Sequence, residues 1–248
     1  MLVFSREDGM RITIVVIVAL AIPASLRAQR SAVTAIPEAP YKVGTSPAQA
    51  ALLIGGVIFA AGLLDDEVQA VVQHGRNTTS NSVARGGNTF GTGAIVFPVL
   101  MSAWVAGAAL GGEGVQKAAG HALIAATTGG LTSVAFKHLI GRLRPNSGFD
   151  SDHFDWFEKK DASFPSGHTA VAFGVASSLS RDIKGHWDDV ALYGAASLTG
   201  FARINDNKHW FSDVLGGAAV GIFAGKWATR GNRRVTASPS GVSVRLEF

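Results

Sequence analysis

The sequence predicts an all-α protein, a helical bundle of about six helices, and three observations support this prediction. Hydrophobic residues make up 47% of the 248-residue chain, and charged residues only 16%. Long apolar stretches alternate with short polar ones, and a chain of this length can bury a sizeable core. Glycine is abundant, at 30 residues, and small residues allow helices to pack closely.

Six apolar stretches are predicted as the main helices. Residues that favour helix ends bound them, such as Gly141 after the third stretch and Pro165 before the fourth. Residues 66–76 have an amphipathic pattern, whereas the Asn-, Ser- and Gly-rich segment 77–93 and the polar segment 141–164 are predicted loops. The predicted helices cover residues 50–64, 93–110, 116–140, 166–179, 188–201 and 212–228.

The N-terminal region has the pattern of a secretory signal. Arg11 precedes the apolar run 12–22, and Ala28 is a suitable last residue before cleavage. The run is shorter than the ~20 residues that a membrane span needs. We therefore expect an exported protein whose translation starts at Met1 or Met10. The predicted organisation is a signal peptide over 1–28, a linker over 29–47, the helical bundle over 48–229 and a basic tail with a short strand over 230–248.

Charge and cysteine content exclude several classes of function. The net charge is only +4, and no long basic run is present to follow a nucleic-acid backbone, so we expect no nucleic-acid partner. The chain has no cysteine, which excludes disulfides, thiolate metal sites and a cysteine nucleophile. A local cluster of cations that binds a small anion remains compatible with this composition.

Three short constellations contain the residue types of a phosphate site. The first ends the third predicted helix, the second opens the fourth, and the third spans the loop into the last helix. Three cations could surround one tetrahedral anion, two of them being planar guanidinium groups. A helix start with a glycine offers free N–H groups to the same anion. The constellations are Lys137 with Arg144-Pro145, then Pro165-Ser166-Gly167-His168, then Arg203 with His209 and Asp213.

The two histidines suggest a division of chemical work. His209 and Asp213 are spaced i, i+4, so they share a face if the last helix begins near His209. A carboxylate there can fix one imidazole tautomer and leave the other nitrogen free to attack. His168 would be a second imidazole, placed to protonate a leaving oxygen. Two imidazoles within a positive pocket suit phosphoryl transfer without a metal.

These residues resemble the type 2 phosphatidic acid phosphatase superfamily, which also includes bacterial acid phosphatases and vanadium haloperoxidases. That family carries K-x6-R-P, P-S-G-H and S-R-x5-H-x3-D in this order, and the match covers residues 137–213. The resemblance implies an acid phosphatase/haloperoxidase-like helical bundle. It also implies that His209 is the nucleophile, Asp213 its partner and His168 the general acid. The residues that it implies for phosphate binding are Lys137, Arg144, Ser166, Gly167 and Arg203.

One position departs from the family pattern. The serine that precedes the arginine in the family is Ala202 here, which removes a hydroxyl near Arg203. We expect weaker contacts to phosphate but not the loss of the chemistry.

The resemblance implies a metal-independent phosphatase. The expected reaction is hydrolysis of phosphate monoesters, lipid phosphates or pyrophosphates through a phosphohistidine intermediate, with no cofactor. Two alternatives remain: a vanadate-dependent haloperoxidase, and a non-catalytic protein that binds phosphate lipids, for which Ala202 is the only hint. The expected partner is a phosphorylated substrate, either lipid or soluble.

Two features outside the motifs remain open. Asp150, Asp152, His153 and Asp155 form an acidic cluster, but they lack the ligand spacing of a helix, so a solvated loop is favoured over a metal site. Arg142 lies beside the first motif and either adds to the phosphate site or faces water.

The charge pattern bears on the membrane. The second and third apolar stretches are long enough to cross a bilayer. A cleaved signal followed by six spans would place the basic tail outside, against the positive-inside tendency. Two arrangements therefore remain for an exported, envelope-associated protein. The first, slightly favoured, is a periplasmic helical domain that rests on the membrane, and the second is an inner-membrane bundle whose site faces the periplasm.

Overall fold

The structure, a computed structural model, describes residues 46–157, 161–183 and 185–230, together with the backbone of 234–238 and 241–245. The predicted signal peptide over 1–28 and nearly all of the predicted linker over 29–47 lie outside these residues.

Eight α-helices form the described part of the chain, which confirms the all-α class and corrects the expected number of about six. The helices are α1 (Pro47–Gly62), α2 (Asp65–His74), α3 (Thr78–Thr89), α4 (Gly93–Ala109), α5 (Glu113–Ile140), α6 (Gly167–Ile183), α7 (His186–Asn205) and α8 (Phe211–Ala228). A two-stranded antiparallel hairpin follows, made of β1 (Arg234–Ser238) and β2 (Gly241–Arg245).

The chain divides into two units, residues 1–53 and residues 54–248. In the first unit the structure describes residues 46–53, most of which form the beginning of α1. The second unit contains the rest of the helices and all of the predicted site residues.

Helix α3 occupies most of a segment that we predicted as a loop. Asn77 caps it, because its side chain accepts a hydrogen bond from the Ser80 backbone N–H while the Ser80 hydroxyl accepts one from the Asn77 N–H. Ala84 and Gly87 are buried, and the Thr199 hydroxyl of α7 donates to the Gly87 carbonyl at 2.7 Å. Packing against α7 thus outweighs the weak helix propensity of Asn, Ser and Gly.

Helix α6 lies at the centre of the bundle, where it packs against α5, α7 and α8. Glycines permit close approach of α8. A Cβ placed on Gly217 would lie 2.4 Å from the Ser166 carbonyl, and one placed on Gly221 would lie 2.4 Å from the Ala170 carbonyl. The apolar core includes a cluster shared by α4, α5 and α6, which is formed by Val96, Leu100, Ala122, Ala126 and Val171.

The segment between α5 and α6 is a folded loop, as expected. Gly141 ends α5 with φ +60°, and a Cβ there would collide with the Asp155 carbonyl, so only glycine fits this turn. Backbone bridges pair Arg142 with Phe154 and Leu143 with Ala162. These bridges hold the loop against the end of α5.

Among the described residues, α5 alone is long and apolar enough by itself to cross a membrane. Up to three spans result if the bent pairs α1–α2 and α3–α4 each count as one. Large apolar side chains are exposed on the outer faces of α4 and α5, including Val99, Val105, Leu131, Val134 and Phe136. Large exposed apolar surfaces are typical of regions that interact with a partner or with lipid.

Candidate active site

The three sequence constellations lie at helix ends that the packing around α6 brings together. Lys137 is in the last turn of α5, and Arg144 follows in the loop. Ser166 directly precedes α6, and its backbone N–H donates to the Asp213 carbonyl at 2.9 Å. Arg203 lies in the last turn of α7, and His209 in the short connection to α8.

His209 and Asp213 form a buried pair. The two side chains are 3% and 0% exposed, and His209 Nδ1 lies 3.5 Å from Asp213 Oδ2. This is long for a hydrogen bond, although such contacts often shorten when substrate binds. The same carboxylate oxygen accepts the Trp210 backbone N–H at 2.9 Å. An Nδ1–H directed at Asp213 leaves the Nε2 lone pair of His209 available for attack.

Arg142 is buried beside this pair, and the structure resolves the alternative that the sequence left open. The residue is 5% exposed, so it does not face water. Its Nη1 donates to Asp213 Oδ1 at 3.0 Å and to the Ser212 hydroxyl at 2.7 Å, and its Nη2 donates to Asp65 Oδ2 at 2.7 Å. With its guanidinium engaged in this way, Arg142 contacts the pair through Asp213.

Two of the three cations of the predicted phosphate site, Lys137 and Arg203, are anchored by hydrogen bonds to the protein. Lys137 Nζ donates to the carbonyls of Ala162 and Ser163 at 2.8 and 2.6 Å. Arg203 Nη1 donates to Asn88 Oδ1 at 2.8 Å. The buried Nε atoms of Arg144 and Arg203 have no hydrogen-bond partner among the described residues. Buried guanidinium donors without partners are costly, and a bound oxyanion would satisfy them.

Charged groups of the three constellations shift the pKa values of one another's residues. Burial, together with the smaller effect of the positive charges of Arg203, Arg144 and Lys137, lowers the pKa of His168 to about 4. Burial also lowers the pKa of His209 to about 3, a shift that the facing Asp213 opposes and that Lys137 and Arg203 strengthen. Lys137 and Arg203 therefore lower the pKa of both imidazoles. Both are neutral at pH 7 when no anion is present.

Asp213 remains ionised in spite of its burial. Burial alone would raise the pKa of its carboxyl, but the facing His209 and Arg142 hold that pKa below its usual value. A carboxylate that is charged at neutral pH can stabilise an imidazolium that forms beside it.

The start of α6 supplies backbone donors and a hydroxyl. The Ser166 side chain is fully buried, and its Oγ accepts a hydrogen bond from the Thr169 hydroxyl at 2.9 Å. That bond leaves the Ser166 hydroxyl proton free for an acceptor. Gly167 and His168 are half-buried, at the helix end where N–H groups favour an anion.

An apolar groove of about 340 Å³ opens beside His168. It runs between α4, α5 and α6, and its apolar walls include Phe97, Leu131, Val134 and Val171. Gly167 and His168 form its end nearest the predicted phosphate site. The groove thus connects the site with the exposed apolar faces of α4 and α5.

Two supporting residues were missed or left open at the level of sequence. Asn88 accepts from Arg203 and donates to Asp206 Oδ2 at 2.7 Å, although we placed it in a loop. Arg142 was left undecided. For Arg142 the available signal was a basic residue two positions before Arg144, and for Asn88 it was a possible helix cap at Asn77. Neither signal identifies the distant residue that each side chain contacts.

Ala202 is fully buried, and because alanine has no hydroxyl its side chain donates no hydrogen bond to the site. Asn88 instead provides the side-chain contact that orients Arg203.

The acidic loop forms no cluster of ligands. Asp150 and Asp152 are exposed, and His153 Nε2 lies 3.9 Å from Asp155 Oδ1. Within the described residues no group of three or more His, Cys, Asp or Glu side chains is arranged to hold a metal ion.

Comparison with known proteins supports the motif assignment. Residues 118–236 match the family model of the PAP2 superfamily. The chain is 39% identical over 134 residues to the lipid A 1-phosphatase of Porphyromonas gingivalis, a match that covers 53% of this chain and 26% of the relative. It is 42% identical over 66 residues to the undecaprenyl-diphosphatase BcrC of Bacillus subtilis, a match that covers 26% of this chain and 33% of the relative. The matched segments span about a quarter to a third of these two relatives.

Two solved structures share the fold. Aquifex aeolicus LpxE aligns with a TM-score of 0.50 at 22% identity, covering 66% of this chain and 94% of that chain. The transmembrane PAP2-type phosphatidylglycerolphosphate phosphatase of Bacillus subtilis aligns with a TM-score of 0.54 at 21% identity, covering 71% and 89%. The matched segment, residues 118–236, contains every predicted site residue, and this segment is similar to the PAP2 superfamily.

Proposed function

We propose that this protein is a membrane-associated lipid phosphatase that works through a phosphohistidine on His209. The observation that carries the proposal is the convergence of a buried His209–Asp213 pair with guanidinium groups whose buried Nε atoms have no partner. A phosphate group would satisfy these donors and bring its phosphorus within reach of His209. The resemblance of the motifs to a phosphatase superfamily supports the same interpretation.

In the first step the Nε2 lone pair of His209 attacks phosphorus, and the bond from phosphorus to the leaving oxygen breaks. His168 gives a proton to that oxygen. Asp213 stabilises the positive charge that develops on the His209 ring. Lys137, Arg144 and Arg203, with the N–H groups at the start of α6, stabilise the charge on the equatorial oxygens.

In the second step a water molecule gives a proton to His168 and attacks phosphorus. The phosphorus–nitrogen bond breaks, which releases inorganic phosphate and restores neutral His209. His168 is neutral in the free site, since its pKa is about 4. A bound phosphate offsets the neighbouring cations and raises the pKa of His168, so that the ring can carry the proton that the first step requires.

The groove beside His168 supports a lipid substrate. Its apolar walls suit an acyl or prenyl chain, while the phosphate would lie at the end formed by Gly167 and His168. The exposed apolar surface of α4 and α5 supports contact with a bilayer, and α5 is long and apolar enough to cross it. The names of the lipid A 1-phosphatase and undecaprenyl-diphosphatase relatives are consistent with this class.

We further propose that the protein is exported and that its site faces the periplasm. This rests on the signal pattern over residues 1–28, which end at Ala28.

A phosphate-release assay tests the proposed function. The purified chain in detergent micelles is offered phosphatidate, phosphatidylglycerol phosphate, undecaprenyl pyrophosphate, lipid A and a soluble phosphate ester, each with excess chelator. We expect release from at least one lipid, faster than from the soluble ester, and inhibition by vanadate, which mimics the trigonal transition state.

The matched control is His209→Asn, whose amide can still donate to Asp213 but cannot form a phosphohistidine. We expect this variant to bind substrate and to release no phosphate. A strict requirement for a divalent ion, or wild-type turnover by the variant, would contradict the proposal. Halide oxidation with peroxide and vanadate in the same preparation would favour the haloperoxidase alternative instead.

A further inference from the structure

A chain of buried charged and polar groups lies next to the proposed nucleophile, His209, and includes its partner Asp213. It consists of Asp65 in the first turn of α2, Arg142 in the loop after α5, and Ser212 and Asp213 at the start of α8. Asp65 and Asp213 are fully buried, and Arg142 and Ser212 are 5% and 3% exposed. Charges this deeply buried are strongly destabilising unless each is paired and hydrogen-bonded.

In this network the two carboxylate oxygens of Asp213 have different hydrogen-bond partners. Oδ1 accepts from Arg142 Nη1 at 3.0 Å. Oδ2 accepts from the Trp210 backbone at 2.9 Å and faces His209 Nδ1. Arg142 therefore fixes the rotation of the carboxylate and directs its second oxygen at the imidazole.

Asp65 holds Arg142 in turn. Its Oδ2 accepts from Arg142 Nη2 at 2.7 Å, and its Oδ1 accepts the Ser212 backbone N–H at 2.8 Å. The Ser151 carbonyl accepts from Arg142 Nε at 2.7 Å, and the guanidinium carbon lies 5.5 Å from the centre of the Trp210 ring. Arg142 Nη2 also donates to the Ser151 carbonyl, so all five N–H groups of the guanidinium are engaged and no donor is left for a substrate.

We propose that Arg142, held by Asp65, is a positioning residue that orients the Asp213 carboxylate for the attack by His209. The proposal rests on the proposed function, since it assigns Arg142 a role in the same reaction. It also separates the neighbouring arginines: Arg144 has a buried Nε without a partner and is assigned to substrate phosphate, whereas Arg142 acts through Asp213.

The test compares Arg142→Met with Arg142→Lys, Asp65→Asn and the control Arg85→Met, which alters an exposed arginine of α3. Turnover and KM are measured on the preferred lipid, vanadate affinity by inhibition, and folding by the thermal midpoint. Removing the hydrogen-bond partner that orients a metal-binding side chain typically costs about 10- to 100-fold in activity, and we take the same range for a partner that orients Asp213. We expect a fall of that size in kcat for Arg142→Met, with KM and vanadate affinity within about threefold of wild type, because Arg142 touches no substrate.

We expect Arg142→Lys to recover part of the lost kcat, Asp65→Asn to show a smaller fall confined to kcat, and Arg85→Met to match wild type. Two further variants test chemical rescue. Added guanidinium ion should raise the kcat of Arg142→Ala at least fivefold, because it can occupy the vacated site, and should leave the kcat of Asp213→Asn unchanged. An unchanged kcat in Arg142→Met would overturn the proposal. So would a fall in kcat that is proportional to the fall in thermal midpoint and that guanidinium ion does not reverse. If Arg142→Met does not fold, Asp65→Asn decides, and wild-type kcat in it overturns the proposal.

The failure of the proposed function would look different. In that case His209→Asn would turn over like wild type in the same assays, whatever the result at Arg142. An inactive His209→Asn together with a fully active, folded Arg142→Met would reject only the positioning role.

Discussion

At the scale of single residues, the site depends on histidines that are kept neutral by burial. The pKa of His209 is lowered to about 3, chiefly because its ring is withdrawn from water. A neutral ring with one nitrogen facing Asp213 is a competent nucleophile, whereas an imidazolium is not. The cations nearby add to the same effect, so in the proposed mechanism the charges that bind phosphate also help to keep the nucleophile neutral.

The low pKa of His209 predicts an acid-sensitive fold. The unfolded chain takes up a proton on this histidine near pH 6.5, whereas the folded state resists protonation down to about pH 3. The contribution of neutral His209 to stability is therefore complete above pH 6.5 and is lost as the pH falls toward 3, at up to about 1.4 kcal/mol per pH unit.

Urea unfolding of the detergent-solubilised protein between pH 7 and pH 5 measures this dependence. As the pH is lowered from 7 to 5, we expect the free energy of unfolding to fall more steeply for wild type than for His209→Asn. Asp213 does not obscure the comparison, because a carboxyl with a lowered pKa affects stability only below about pH 4. Equal slopes in the two proteins would show that His209 is not held neutral.

At the scale of helices, glycines set the distance between α6 and α8 and so place the start of α6 beside Asp213. The Cβ that a substitution adds at Gly221 would lie 2.4 Å from the Ala170 carbonyl and 2.8 Å from the Gly174 nitrogen. Neither backbone atom can move without shifting a helix. The Ser166 N–H bond to the Asp213 carbonyl crosses the same interface.

We predict that Gly221→Ala destabilises the protein by about 1–3 kcal/mol, the usual cost of overpacking a tight interface. Gly194→Ala in α7 is the matched control, since a Cβ there meets nothing within 4 Å. Alanine has the higher helix propensity, so the control should be neutral or slightly stabilising. The thermal midpoints of the two variants measure the effect, and equal midpoints would refute close packing at Gly221.

The sequence predicted most helices because apolar runs and Gly or Pro boundaries are local signals. It missed α3, whose polar residues form a helix only because Gly87 and Ala84 pack on α7. The motif residues were predictable as a set, since each motif sits at a helix end. The role of Arg142 was not, because its partner Asp65 is 77 positions away along the chain and no local pattern connects the two.

At the scale of the whole molecule, the apolar groove and the exposed faces of α4 and α5 place a polar site next to a lipid-compatible surface. We predict that the expressed protein stays in the membrane fraction after an alkaline carbonate wash and requires detergent for release. Carbonate extraction followed by immunoblotting measures this. Complete release by carbonate would instead support a periplasmic helical domain that rests on the membrane.

The most direct measurement of the central claim is rapid-quench labelling with a substrate that carries a radioactive phosphate. The account predicts a covalent phosphoprotein that is labile in acid and stable in base, with the label mapped to the peptide containing His209 and absent from His209→Asn. A labelled residue other than His209, or full turnover in His209→Asn with no phosphoprotein at any time, would contradict it.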